Sequence, residues 1–158
     1  RLVTISLGIL NPPLIFTKQC AIMNIKGEVL TMNNQEIITA VRNSMYQQIK
    51  KSGYASTEQV LIDLKYLSRE DYERWRFGKV DYLERVCKAG LHKLNFVLTQ
   101  MQIYARTARL KESYTYYKQW GRKNKEKIKL RFTKTGNEFM ERRYATRYVS
   151  CVQNEKEE

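Results

Sequence analysis

Side chains able to do chemistry are few in this chain and unevenly placed. There is one histidine, His92, among 158 residues. A lone histidine supplies neither a metal-binding pair nor the H-E-x-x-H or H-x-E…P-C-x-x-C sets of zinc enzymes. Neither G-x-x-x-x-G-K-[ST] nor G-x-G-x-x-G occurs, so no phosphate cradle for nucleotide chemistry is visible. The cysteines Cys20, Cys87 and Cys151 are far apart and include no C-x-x-C, which argues against zinc and against a disulfide framework. Cys87 falls on an apolar helix face, where it behaves as a small hydrophobe. Asp63, Asp71, Glu73, Asp81 and Glu84 are the acids a Mg²⁺-dependent enzyme would need, but the first three fall on exposed helix faces and the last two are accounted for by a helix cap. None of the 11 tyrosines sits in a His and Arg cluster that would activate it. The residues predict a protein without catalytic, cofactor or metal sites.

Binding chemistry has a stronger signal. Net charge is +13, and residues 101–150 carry 14 Lys and Arg against 4 Glu, a net of +10. Within them Tyr114, Tyr116, Tyr117 and Trp120 adjoin Arg122, Lys123, Lys125, Lys127, Lys129, Arg131 and Lys134. Cations interleaved with rings grip phosphates while the rings stack on bases, which points to DNA or RNA, with duplex DNA favoured, as partner. Solvated cations and rings that merely cover a helix end are the alternative. A weaker candidate is the pair of short helices Ser56–Leu67 and Ser68–Phe77. They have the size of a helix-turn-helix that would offer Arg69, Arg74 and Arg76 to a groove, although Glu70, Asp71 and Glu73 oppose phosphate.

The elements that must position these residues are mainly helical. Leu83, Val86, Cys87, Leu91, Leu94, Val97, Leu98, Met101, Ala105 and Ala108 recur at steps of three and four, predicting one long central helix over Asp81–Arg109. Asp81 and Glu84 form its capping box, and its length would be roughly 40 Å. Ahead of it, Ile37, Ile38, Val41, Met45 and Ile49 mark a helix from Asn34 that Gly53 ends. Ser56 with Gln59, and Ser68 with Asp71, open two shorter helices, the second closed by Gly78. After Leu110 the period changes. Ile128, Leu130 and Phe132 alternate with Lys127, Lys129 and Arg131, as in a half-buried strand, and Tyr114–Trp120 is its antiparallel partner in a basic β-hairpin over 111–135. A short helix from Ser113 competes with that strand. Asn137 then caps a terminal helix running through Phe139, Met140, Arg143, Tyr144 and Tyr148.

A single mainly α domain, a helical bundle around the long central helix with a basic β-hairpin and a short C-terminal helix, is therefore expected over 32–150, with a disordered tail at 151–158 and no internal repeat. Residues 1–31 are apolar but broken by Pro12 and Pro13, too short and interrupted to span a bilayer. They are expected to be a leader translated ahead of a natural start at Met32. Absent a membrane span, and with unpaired cysteines, a cytoplasmic location is expected.

The stretch Trp75-Arg76-Phe77-Gly78-Lys79-Val80-Asp81-Tyr82-Leu83-Glu84-Arg85-Val86 resembles a core shared by small, basic, largely uncharacterised bacterial proteins. Trp120-Gly121, Leu130-Arg131-Phe132-Thr133-Lys134-Thr135-Gly136 and Tyr144-Ala145-Thr146 resemble that group's C-terminal elements. The resemblance covers roughly 33–149 and implies a bacterial or mobile-element protein without assigning an activity. A circumstantial likeness to phage anti-CRISPR proteins implies, as an alternative, an inhibitor that binds a Cas9-type ribonucleoprotein. No residue carries over from any inhibitor.

Overall fold

A computed structural model describes residues 32–121 and 128–151. The expected leader, residues 122–127 of the expected hairpin and the end of the tail lie outside the described residues. The fold is mainly α with a small antiparallel sheet. Helix α1 spans Asn34–Ser52. Its start is a reciprocal capping box: Asn33 Oδ1 accepts from the Glu36 amide at 2.9 Å, and a Glu36 carboxylate oxygen accepts from the Asn33 amide at 2.7 Å. Gly53, at φ +78°, ends it with an N–H donated to the Ile49 carbonyl.

Strand β1 (Tyr54–Ser56), helix α2 (Thr57–Asp63) and helix α3 (Arg69–Arg76) follow. Ser68 caps α3 as expected, its Oγ accepting from the Asp71 amide. The expected box of Ser56 with Gln59 does not form. Ser56 makes no side-chain cap, and Gln59 donates to Asp63. A 3-10 turn at Leu83–Val86 leads to helix α4 (Leu91–Thr107), strand β2 (Lys111–Tyr114), helix α5 (Glu138–Ala145) and strand β3 (Thr146–Val149). β3 lies between β1 and β2 and pairs antiparallel with both.

Larger expectations are corrected too. The long helix does not begin at Asp81: its first third is the 3-10 turn and an extended link, and α4 starts at Leu91 after Gly90. Leu83 and Glu84 donate their amides to the Arg131 and Phe132 carbonyls, and Lys88 donates to Tyr66, so this backbone is tied to distant segments before it can coil on α4. Asp81 pairs with Arg85, and Glu84 accepts from the Tyr144 hydroxyl. Leu91, assigned to the apolar face, is 61% exposed.

The β-hairpin is the second correction. Tyr114 belongs to β2, whose partner is β3 rather than 127–133. Among the described residues, the expected strands share a short bridge, with Lys118 opposite Lys129, Gln119 donating to Ile128 and Leu130 donating to Tyr117. Two lysines face to face disfavour a longer ladder, and the backbone beyond Leu130 bonds elsewhere. The terminal helix does start at Asn137, whose Oδ1 accepts from the Met140 amide, but it stops at Ala145. The following Thr-Arg-Tyr-Val buries Thr146 and Tyr148 on alternate positions, a strand pattern.

α1 and α4 pack on each other and share a core that includes Ile37, Val41, Met45, Leu94, Val97 and Met101. Leu94→Ala is expected to cost about 2 to 5 kcal/mol through the cavity it leaves. Lys93→Ala, which removes a 3.4 Å contact to the Met32 carbonyl, is expected to cost under about 1 kcal/mol. Denaturant unfolding of the two variants checks the contrast.

Candidate nucleic-acid interface

Five rings build the scaffold beneath the basic segment. Trp75 on α3 is fully buried and lies 4.9 Å from Phe132, 5.9 Å from Tyr117 and 6.0 Å from Tyr72, centroid to centroid. Phe132 in turn stacks on Tyr144 of α5 at 5.5 Å. The Trp75 indole N–H donates to the Arg131 carbonyl at 2.8 Å, fastening the 130s segment to α3. A second clamp comes from Glu141 on α5. This buried carboxylate accepts from the amides of Phe132 and Thr133 and from the Thr133 hydroxyl.

On that scaffold an aromatic ledge reaches the surface. The Arg76 guanidinium lies 4.6 Å from the Trp120 ring centroid and 5.1 Å from that of Tyr117, while the Trp120 amide donates to the Arg76 carbonyl. Phe77 meets Trp120 edge to face at 5.6 Å. Gly78 suits this position by its backbone, and a side chain there would also displace Gln119. Its φ is +73°, and a Cβ would come within 2.6 Å of the Gln119 amide that donates to the Phe77 carbonyl. Beside the ledge, Tyr116 is 63% exposed, with the Lys129 ammonium 5.2 Å from its ring centroid and Tyr114 packed against it at 4.8 Å. Arg142 lies over Tyr114.

The expected site residues that fall among the described residues can now be located. Tyr116 and Trp120 are exposed, Trp120 by 38%, and Lys129, Arg131 and Lys134 are exposed too. Arg131 lies over the Tyr82 ring. Tyr117 is buried and serves the scaffold. Arg74 is exposed and paired with Asp71, and Arg76 is held by rings, its Nε without a hydrogen-bond partner among the described residues. Arg122, Lys123, Lys125 and Lys127 lie outside the described residues. Among the described residues the ion pairs are Arg74 with Asp71 and Arg85 with Asp81, which leaves the cations beside the ledge without carboxylate partners. No group of His, Cys, Asp and Glu among the described residues is arranged to hold a metal ion, and no described helix is long and apolar enough to cross a membrane. His92 is exposed on α4.

Two acids escaped the sequence argument. Glu58 and Glu141 look like ordinary helix-surface acids by spacing, yet both are buried. Glu58 accepts from the Tyr117 hydroxyl at 2.8 Å, and Arg147 on β3 lies over the rings of Tyr54 and Tyr117. Burial first, and Glu58 next, hold the Tyr117 phenol far above the usual tyrosine range. Burial likewise raises the Cys87 thiol from 9.0 to about 12, with Glu84 and Asp71 adding to it. Tyr148 rises from 10.0 to about 12 by burial and then Glu112.

These groups keep protons in the folded state that the unfolded chain releases. Between about pH 9 and pH 12 the unfolded state thus binds fewer protons, and stability must fall as pH rises. The urea midpoint is expected to decline steadily above pH 9. A midpoint unchanged up to pH 11 contradicts the burial of these groups.

Comparison with protein-family models, curated proteins and solved structures finds no match.

Proposed function

We propose that this chain is a non-enzymatic nucleic-acid-binding protein that holds a strand on the ledge of Trp120, Phe77 and Tyr116 and on the cations beside it. The observation that carries this is the juxtaposition of exposed rings with cations, Lys129 over Tyr116 and Arg142 over Tyr114, neither of which has a carboxylate partner among the described residues. Exposed rings favour unpaired bases, whose faces are open to stacking, over the duplex that charge alone would favour. Arg122, Lys123, Lys125 and Lys127 add four positive charges adjacent in sequence. The cysteines Cys87 and Cys151 are free, in keeping with a reducing, cytoplasmic setting.

Fluorescence anisotropy with a labelled single strand and its duplex, over a range of salt, tests the proposal. Affinity should fall linearly on a log–log plot, by about 0.7 per phosphate contact for the single strand. Charge reversal of Lys129 and Arg131 should lower affinity for all sequences alike and flatten the salt slope. Trp120→Ala should cost about 1 to 3 kcal/mol of single-strand binding and little duplex binding. Absence of salt-dependent binding to either would overturn the proposal. Capture of a Cas9-type ribonucleoprotein at salt that strips free DNA would favour a protein-directed inhibitor instead.

A further inference from the structure

A polar cleft adjoins the ledge. Residues of α1, β1, α2, α3 and β3 enclose a volume of about 480 Å³, within the size range of small-ligand sites. Lys51, Arg69 and Arg147 line it, and among the described residues none of them is in an ion pair. The two carboxylates of the lining are held by neutral donors. Asp63 accepts from Ser44 and Gln59, and Glu58 accepts from Tyr117.

Glu58 is the informative member. It is 6% exposed, and its Oε2 has no hydrogen-bond partner among the described residues. A buried carboxylate oxygen without a donor carries a cost that a nearby N–H would remove. Tyr54 and Tyr72 add rings to the lining, and Tyr72 meets Trp120 edge to face at 6.1 Å, so one side chain is shared by cleft and ledge. A simple anion would satisfy Lys51 and Arg69, Arg147 already donating to the Tyr117 hydroxyl, but would leave the Glu58 Oε2 as it is. A simple cation would meet three positive charges. A ligand carrying a phosphate at one end, N–H donors at the other and a flat ring between them matches all three features.

We infer that the cleft binds one phosphorylated nucleoside whose base bears an amino group, with the phosphate on Lys51 and Arg69, the base against the tyrosines and its amino edge toward Glu58. The inference rests on the nucleic-acid assignment of the ledge and extends it: the cleft reads one nucleotide next to the strand the ledge holds. A strand's terminal nucleotide and a free nucleotide share this chemistry.

Calorimetric titration of the full chain with GMP, CMP, UMP and guanosine tests it, together with oligothymidylates ending in 5′-phospho-dG or 5′-phospho-dT. GMP and CMP should bind about tenfold more tightly than UMP, the discrimination of one good base contact. Glu58→Gln, which keeps a carbonyl toward Tyr117, should level the bases. Lys51→Ala with Arg69→Ala should level GMP and guanosine, and this pair of exposed positions preserves the test if the Glu58 variant fails to fold. A dG end preferred over a dT end identifies the strand as the source, whereas GMP binding without that preference identifies free nucleotide. Oligothymidylate binding with GMP and UMP equal or both absent overturns the cleft and leaves the ledge standing. Nucleotide binding without oligothymidylate binding does the reverse, and absence of both overturns both.

Discussion

Trp75→Ala is expected to lower the unfolding free energy by about 3 to 5 kcal/mol, the range for emptying a buried aromatic site. Three other rings, Phe132, Tyr117 and Tyr72, lose their packing partner, and the Arg131 carbonyl loses its indole donor. For a small domain that is a large part of total stability. The cost should also reach the interface, because α3 and the 130s segment are joined through this side chain. Trp75→Phe separates the two contributions. It keeps most of the ring volume and gives up the hydrogen bond, so about 1 kcal/mol should be added back to the ring-filling term as residual loss. Urea unfolding of both variants checks the difference.

Glu141→Ala is expected to be comparably damaging, at about 3 to 5 kcal/mol. The side chain accepts from two buried amides and one hydroxyl, and each buried donor left without a partner costs about 1 to 3 kcal/mol. The effect differs in kind from that of Trp75. No large cavity forms, but the Phe132 and Thr133 backbone loses the groups that hold it off a regular strand. Glu141→Gln should recover only part, since its NH₂ faces a donor. Amide hydrogen exchange at Phe132 and Thr133 should quicken in both variants more than at α1. Unchanged exchange there would contradict the clamp.

The parts of this fold that can be read along the chain are those decided by neighbours. Gly53 needs a left-handed φ whatever packs on it, and Ser68 and Asn137 cap helices with amides three residues on. Gly90 could not be read so simply. The apolar spacing runs through it from Leu83 to Ala108, and the break depends on carbonyls of Arg131 and Phe132 that lie far along the chain. The sheet is non-local in the same sense, because β3 meets β1 and β2 only after the intervening helices have folded. For the candidate interface, the rings and cations of 114–134 are visible as composition. Which ring would be exposed is not, and Tyr117 proves to be scaffold while Tyr116 faces solvent. Glu58 was hidden because its burial is set by Tyr117, 59 residues away.

Intrinsic fluorescence tests the central claim most directly. The chain has 2 tryptophans, Trp75 fully buried and Trp120 at the surface of the ledge. Titration with a single-stranded oligonucleotide at low salt should quench Trp120 as bases stack on it, and added salt should restore the emission. Trp120→Phe, which leaves Trp75 as reporter, should abolish the quenching. Emission that stays constant while anisotropy shows the oligonucleotide saturating the protein, or quenching that survives Trp120→Phe undiminished, would contradict the assignment of the ledge as the nucleic-acid interface.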